Sequence, residues 1–386
     1  MKRGQSSFLD RTNILAFIVM LALAAVSLLA QSNANYYAGG DYYQRQVIWI
    51  VIGGAVFFGA AIIDLRLIER AAYMFYAVCV ALLVLTLLIG TAEEQMEFKR
   101  WIHLGAFNIQ ASEFAKLGTI LALARYIHAD KERLPGEGQP DPSPYDLRDL
   151  LKPAAIVMLP MPLILLQPDL GTALMLIFVA ATMLLIEGVR RRAIIVSVLS
   201  LLVVIPVAWK TGLIQEYQKD RIYKLVDQTW EKVDEETGMI IETRTTQVEQ
   251  AIWAIGSGGF LGQGNRGANK ARLGKLPELH NDFVAPLVAE ERGFIGMVAL
   301  LFLFWIMVMW ALRTAQDSRS HFCRLVAVGI ASLFGWQVFI NIGMVTGMLP
   351  VVGLPLPFLS YGGSSLIMWM LSLGILFNIA VKRGRM

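Results

Sequence analysis

The sequence predicts an all-α polytopic membrane protein of about ten transmembrane helices, with both termini cytoplasmic and one large external loop between spans 7 and 8. Three observations predict it. Hydrophobic residues make up 56% of the 386 and charged residues only 17%, where a soluble domain carries roughly a quarter charged. The apolar residues fall into runs long enough to cross a hydrocarbon core of about 30 Å at about 1.5 Å per residue. Lys and Arg crowd alternate short connections, as the positive-inside bias requires.

In chain order the runs are 14 to 30, 46 to 63, 71 to 90, 112 to 127, 153 to 167, 172 to 188, 193 to 209, 284 to 311, 325 to 347 and 365 to 381. The first follows Lys2, Arg3 and Arg11 like the start of a signal peptide, but it is longer and no soluble domain follows Gln31-Ser32-Asn33, so it reads as an uncleaved anchor. The fourth is short and interrupted by Glu113 and Lys116, and the fifth is interrupted by Pro160 and Pro162. Basic residues then set the orientation: Arg66 and Arg70, Lys131 to Lys152, Arg190 to Arg192, Arg313 to Arg324 and Lys382 to Arg385 lie on the same side as the N-terminus. The short outer connections offer only Arg45, Lys99 and Arg100. Residues 128–152, rich in Pro, Gly and charge, read as a cytoplasmic linker, and 210–283 as the external loop of a single integral membrane domain, 1–386. A loop of that length is seldom idle.

Cys79 and Cys323 are too few for a disulfide framework or a metal cage. The net charge of +4 is placed by topology, so no nucleic-acid partner is expected. One motif familiar from soluble enzymes, Gly262-x-Gly264-x-x-Gly267, lacks the preceding apolar strand of a dinucleotide site and falls outside the cell, which leaves it a flexible loop beside Gly256-Ser257-Gly258-Gly259.

Ionisable residues within or beside spans are costly, about 2.5–3.5 kcal/mol each on insertion scales, and so point to function. Five clusters stand out. They are Arg100-Trp101 with Gln110 to Lys116, Gln167 to Gly171, Leu276 to Phe283, Glu290-Glu291-Arg292, and Gly353 to Ser365. Glu113 and Lys116, three residues apart, share a helical face and pair either as a structural link or within a site. Asp169 suits a helix N-cap as well as a ligand contact, and Asp282 taken alone would be a cap. All five fall on the external side of the map, which argues for one polar cavity at the outer leaflet. Basic groups there suit a lipid-linked phosphate or pyrophosphate, and a carboxylate beside it suits a general base.

The strings QASEFAK (110 to 116), QPDLGTA (167 to 173), AIGSGGFLGQG (254 to 264), LPELHNDF (276 to 283) and GMVTGMLPVVGLPLPFLSYGGSS (343 to 365) together resemble the SEDS family of bacterial peptidoglycan glycosyltransferases. The resemblance covers essentially the whole chain. Around Asn341 to Val345 and Pro350 to Gly353 the sequence is more similar to the elongation members than to the division members. The resemblance implies a ten-span enzyme of the bacterial cytoplasmic membrane. Such an enzyme polymerises lipid II at the outer face, onto undecaprenyl-pyrophosphate-linked glycan, with a class B penicillin-binding protein and the elongation machinery as partners.

By the same resemblance Asp282 is the catalytic residue, and Glu113, Lys116, Arg100, Asp169, Ser360 and Ser364 line the substrate site. Two departures stand out: Ala111 where the family more often has Pro, and Asp282-Phe283-Val284-Ala285-Pro286, which brings a helix-initiating Pro close to the expected base. No resident cofactor is implied. A divalent cation (Mg or Mn) shared between carboxylates and a pyrophosphate is compatible with the residues. The competing readings are a lipid II flippase, which broken helices and intramembrane charges also suit, a scaffold for other synthases, and a division or sporulation member of the same family.

Overall fold

The computed structural model describes residues 10–91, 99–104, 107–132, 144–212, 218–220, 223, 231–233, 240–243, 247–269 and 279–382. In chain order the helices are α1 (Arg11–Ala38), α2 (Tyr42–Ile62), α3 (Leu65–Ile89), α4 (Ala111–Glu132), α5 (Leu151–Met158), α6 (Pro160–Leu165), α7 (Leu170–Glu187), α8 (Arg191–Lys210), α9 (Val248–Gly258), α10 (Val284–Asp317), α11 (His321–Val345) and α12 (Gly363–Lys382). The described residues also form two antiparallel hairpins: β1 (Ile102–Leu104) with β2 (Phe107–Ile109), and β3 (Glu231–Val233) with β4 (Ile240–Thr243).

Each of the ten apolar runs coincides with helix. Among the described residues eight helices are long and apolar enough to cross a membrane: α1, α2, α3, α7, α8, α10, α11 and α12. The fourth run is α4, whose 22 residues extend about 33 Å at 1.5 Å per residue. Its charges lower its hydropathy, yet from Ala111 to Ala124 nearly every side chain is buried, because α4 stands in the middle of the bundle against α3, α5, α7, α11 and α12. The fifth run is split at Leu159 into α5 and α6, with Pro160 opening the second piece, where a missing N–H costs nothing.

Between helices in lipid there is little hydrophobic drive, so contact depends on small residues that let backbones approach. A β carbon on Gly374 of α12 would come within 2.5 Å of the Phe57 carbonyl oxygen of α2, and one on Gly329 of α11 within 2.5 Å of Ile120 of α4. By contrast α8 turns Ile195, Val198, Leu199, Leu202, Val203 and Val207 outward, an apolar surface suited to lipid.

Polar ties close the bundle at the end where α3 and α7 meet the expected cytoplasmic segments. Glu69 pairs with Arg125 and with His128 (3.2 Å), and His321 with Glu187 (2.8 Å). Of the expected linker 128–152, the part up to Glu132 continues α4 and residues 133–143 lie outside the described residues. Tyr145 is buried, and its hydroxyl donates to Asp130 (3.2 Å). Burial and the Asp130 carboxylate push that phenol well above its usual range, so it remains a neutral donor.

Part of the expected outer loop also packs on the bundle. Helix α9 lies against α10 and α11, and the Gly262-x-Gly264-x-x-Gly267 segment is a fitted turn rather than a loose one. Its N–H groups at Gln263 and Gly264 donate to the carbonyls of Glu290 and Glu291 (2.9 and 3.0 Å). A β carbon on Gly262 would sit 2.2 Å from the Glu291 carbonyl oxygen. Helix α10 kinks at the contact, where Gly293 takes φ 66°, ψ −166°, a conformation open to glycine. Close backbone packing is thus what these glycines serve.

Candidate active site

The described residues of the five clusters expected on one side converge at one end of the bundle, where α1 ends and α2, α4, α7, α10 and α12 begin; Leu276 to Glu278 lie outside the described residues. Two helix starts and the approach to the β1–β2 hairpin fix the first part of the site. Asp169 caps α7, its Oδ1 accepting from Thr172 N (3.0 Å), while Oδ2 accepts from Ser112 Oγ on α4 (3.1 Å). Arg100, just before the β1–β2 hairpin, donates through Nε to the Gln167 carbonyl (2.8 Å) and through Nη2 to that of Pro168 (2.7 Å). Asp169 is therefore both the cap and a cross-tie, and Arg100 anchors the turn that presents it.

One turn into α4, Lys116 Nζ donates to Glu113 Oε1 (2.8 Å) and to Gln337 Oε1 of α11 (3.2 Å). Lys116 is 1% exposed and Glu113 2%, and the second carboxylate oxygen, Glu113 Oε2, is buried without a partner among the described residues. The pair is closed from solvent: Gln337 Nε2 donates to the Pro355 carbonyl (2.8 Å), which holds the 350–360 segment beside it.

That segment is the hub of the site. Gly171 packs under it, with a β carbon there only 2.7 Å from the Val352 carbonyl oxygen. Phe358 has φ 66°, a conformation that strains a residue with a β carbon. Its carbonyl is held by Ser27 Oγ of α1 (2.7 Å) and Gln46 Nε2 of α2 (3.4 Å).

Against this hub lies the turn carrying Asp282, and three successive carbonyls of that turn are gripped. The His280 carbonyl accepts from Tyr361 N (2.6 Å) and Gln31 Nε2 (3.2 Å), that of Asn281 from Ser360 Oγ (2.9 Å), and that of Asp282 from Asn341 Nδ2 (3.1 Å). The His280 ring stacks on Tyr42 at 4.0 Å. Asp282 itself is half-buried, and its carboxylate lies over Gly353 (φ 70°), where a β carbon would come within 3.4 Å of Oδ2. Helix α10 begins after it, with Phe283 in the cap position and no side-chain cap bond.

The two serines lie between the loops of the site. Ser360 Oγ donates to Asn281 and accepts from Leu356 N (2.7 Å), and Ser364 Oγ donates to the Asn108 carbonyl (3.1 Å) and accepts from Gln110 N (2.9 Å). Both hydroxyls tie loops together. Glu291 is likewise a strut: its carboxylate accepts from Asn33, from Tyr37 Oη (3.1 Å) and from Arg266 N (2.9 Å). Sequence reasoning missed the buried amides Gln31, Gln46, Gln337 and Asn341. Their signal was a polar residue in or beside an apolar run, weaker than that of a charge because a neutral amide costs less to bury.

The whole arrangement has counterparts among known proteins. A family described as cell cycle proteins, comprising FtsW, RodA and SpoVE, matches residues 7–385. The chain belongs to the SEDS family. A probable peptidoglycan glycosyltransferase FtsW of Trichlorobacter lovleyi is 35% identical over 367 residues, covering 95% of this chain and 90% of the relative. The peptidoglycan glycosyltransferase MrdB of Escherichia coli is 32% identical over 375 residues, covering 97% and 94%. Among solved structures, a chain of a peptidoglycan synthase complex that coordinates polymerization and crosslinking aligns with a TM-score of 0.76 at 27% identity, over 96% of this chain and 98% of that one. The Thermus thermophilus rod shape determining protein RodA aligns with a TM-score of 0.66 at 26% identity, over the same shares. SEDS relatives named for division and for elongation are thus about equally similar to this chain. The motif-level likeness to elongation members does not by itself fix the branch, and the fold that these SEDS proteins share is a polytopic membrane fold.

Proposed function

We propose that this chain is a peptidoglycan glycosyltransferase that polymerises lipid II at the outer face of the bacterial cytoplasmic membrane, with Asp282 as general base. The observation that carries this is the Asp282 turn: three consecutive carbonyls are held from α1, α11 and the 350–361 segment, which sets the half-buried carboxylate over Gly353. In the inverting reaction Asp282 takes the proton from the acceptor sugar's 4-hydroxyl. That oxygen attacks the anomeric carbon of the growing chain, and the bond to undecaprenyl pyrophosphate breaks with its electrons leaving on the pyrophosphate. Charge growing on a leaving group is best met by preplaced donors. Arg100, half-buried and with guanidinium hydrogens beyond the two it gives to carbonyls, is suited to that role. Lys116, enclosed with Glu113 and Gln337, acts as internal counter-charge.

Among the described residues no three His, Cys, Asp or Glu side chains are grouped to hold a metal ion. These side chains alone do not assemble the oxygen set a Mg or Mn ion takes, and no step here is routed through one. A class B penicillin-binding protein is the proposed partner, which the synthase complex among the structural neighbours supports. The proposed role is elongation, on the motif around Asn341 to Gly353.

The test is glycan synthesis by the full-length protein with its partner in lipid vesicles supplied with lipid II. Strands that grow with time are expected. Lipid II that crosses the bilayer without forming strands would instead support the flippase, which the α5–α6 break and the Gly293 kink also suit.

The orientation is proposed from the charge asymmetry: 128–152 inside and 210–283 outside. Both native cysteines are buried, so the wild type gives little background with a thiol reagent. With an impermeant reagent on intact cells, Gly238→Cys is expected to label and Gly138→Cys to label only after lysis; both positions lie outside the described residues. The opposite pattern would invert the map.

A further inference from the structure

Four fully buried amides surround the proposed base, and one of them touches it directly. Gln31, Gln46, Gln337 and Asn341 are each 0% exposed, and every one gives its NH2 to backbone carbonyls of the 280–282 turn or the 354–360 segment. Asn341 differs from the rest in its targets. Its Nδ2 donates to the Asp282 carbonyl (3.1 Å) and to that of Leu354 (2.7 Å), so one amide spans the turn that bears the carboxylate and the segment whose Gly353 lies beneath it. It stands one helical turn beyond Gln337, on the same face of α11, so a single rigid helix sets both the Lys116 end and the Asp282 end of the site.

We propose that Asn341 is a positioning residue for Asp282, an inference that rests on Asp282 being the base. Without its amide the turn keeps its other grips, Ser360 on Asn281 and Tyr361 with Gln31 on His280. What is released is the link at Asp282 itself, together with the bond that ties it to Leu354. Misplacing a reacting group by about 1 Å costs on the order of 10²-fold, so turnover responds more than stability does.

The structure contains its own control. Asn378 of α12 is also 0% exposed and also gives its NH2 to two carbonyls, Ala60 (2.8 Å) and Ile63 (2.7 Å), but at the opposite end of the bundle. As with Asn341, its own carbonyl oxygen is buried with no partner among the described residues.

The experiment compares Asn341→Ala with Asn378→Ala in the full-length protein with its partner, measuring thermal stability and the kinetics of lipid II polymerisation. The expected result is a similar loss of stability in both. For Asn341→Ala alone kcat falls by about 10- to 100-fold, with KM within about threefold because ground-state binding is untouched. Adding Asn341→Ala to Asp282→Asn slows the reaction no further. If Asn341→Ala does not fold, Asn341→Ser carries the comparison, with one hydroxyl donor and an intermediate loss of kcat. Equal kcat in Asn341→Ala and Asn378→Ala, or additive losses with Asp282→Asn, would overturn the inference. Its failure is separable from that of the base reading: an inactive Asp282→Asn beside an unimpaired Asn341→Ala sinks only the positioning role, whereas an active Asp282→Asn sinks both.

Discussion

Asp282→Asn is expected to lower lipid II polymerisation by about 10²- to 10⁴-fold, the usual worth of a general base, in a protein that folds normally. Asparagine keeps the volume of the side chain but cannot accept the proton in the transition state. Substrate binding should change far less, since only an interaction gained in the transition state is lost. The main-chain carbonyls of residues 280 to 282 are gripped from α1, α11 and the 350–361 segment, and the substitution leaves those bonds in place. A capping role predicts the reverse, because asparagine caps a helix as well as aspartate does. Near wild-type strand synthesis by well-expressed Asp282→Asn protein would return the residue to a structural one.

The second large effect is expected at Lys116, on stability. Lys116 and Glu113 are enclosed together at 2.8 Å, and removing one partner of a buried pair leaves an uncompensated charge, at a cost of about 3–5 kcal/mol. Lys116→Met should therefore lower the thermal midpoint and the yield of folded protein sharply. Glu113→Gln should be milder, because an amide still accepts from the ammonium. The informative variant removes both charges. Glu113→Gln with Lys116→Met should recover much of the stability, since apolar or neutral replacements of a whole buried pair are often tolerated, while polymerisation stays low if the charge at Lys116 serves the reaction. A double variant no more stable than Lys116→Met would show that the pair is not what destabilises the single change.

Much of this molecule is legible in its amino-acid sequence. Composition and apolar runs determine that the chain is a helical membrane protein, because in hydrocarbon a backbone has few ways to satisfy its N–H and C=O groups. All ten runs lie where helices form. The charged and Gly/Pro clusters also come together at one end of the bundle, since ionisable groups near spans are tolerated only where they are used or paired. The resemblance of five short strings to the SEDS family is correct for the chain as a whole.

What the sequence does not decide are outcomes of contact. Hydropathy ends the first span at 30, yet α1 runs to Ala38, because Gln31 and Asn33 find partners in distant loops. The turn at 262 to 267 reads as slack, but its Gly262 is a close fit to the Gly293 kink. Ser360 and Ser364 look like ligands in the sequence and are loop ties in the fold. Glu113 and Lys116 are expected to line an open cavity and are enclosed. In each case a residue's own chemistry states what bonds it is able to make, and only the folded chain, by bringing segments hundreds of residues apart to one end of the bundle, settles which of them it makes.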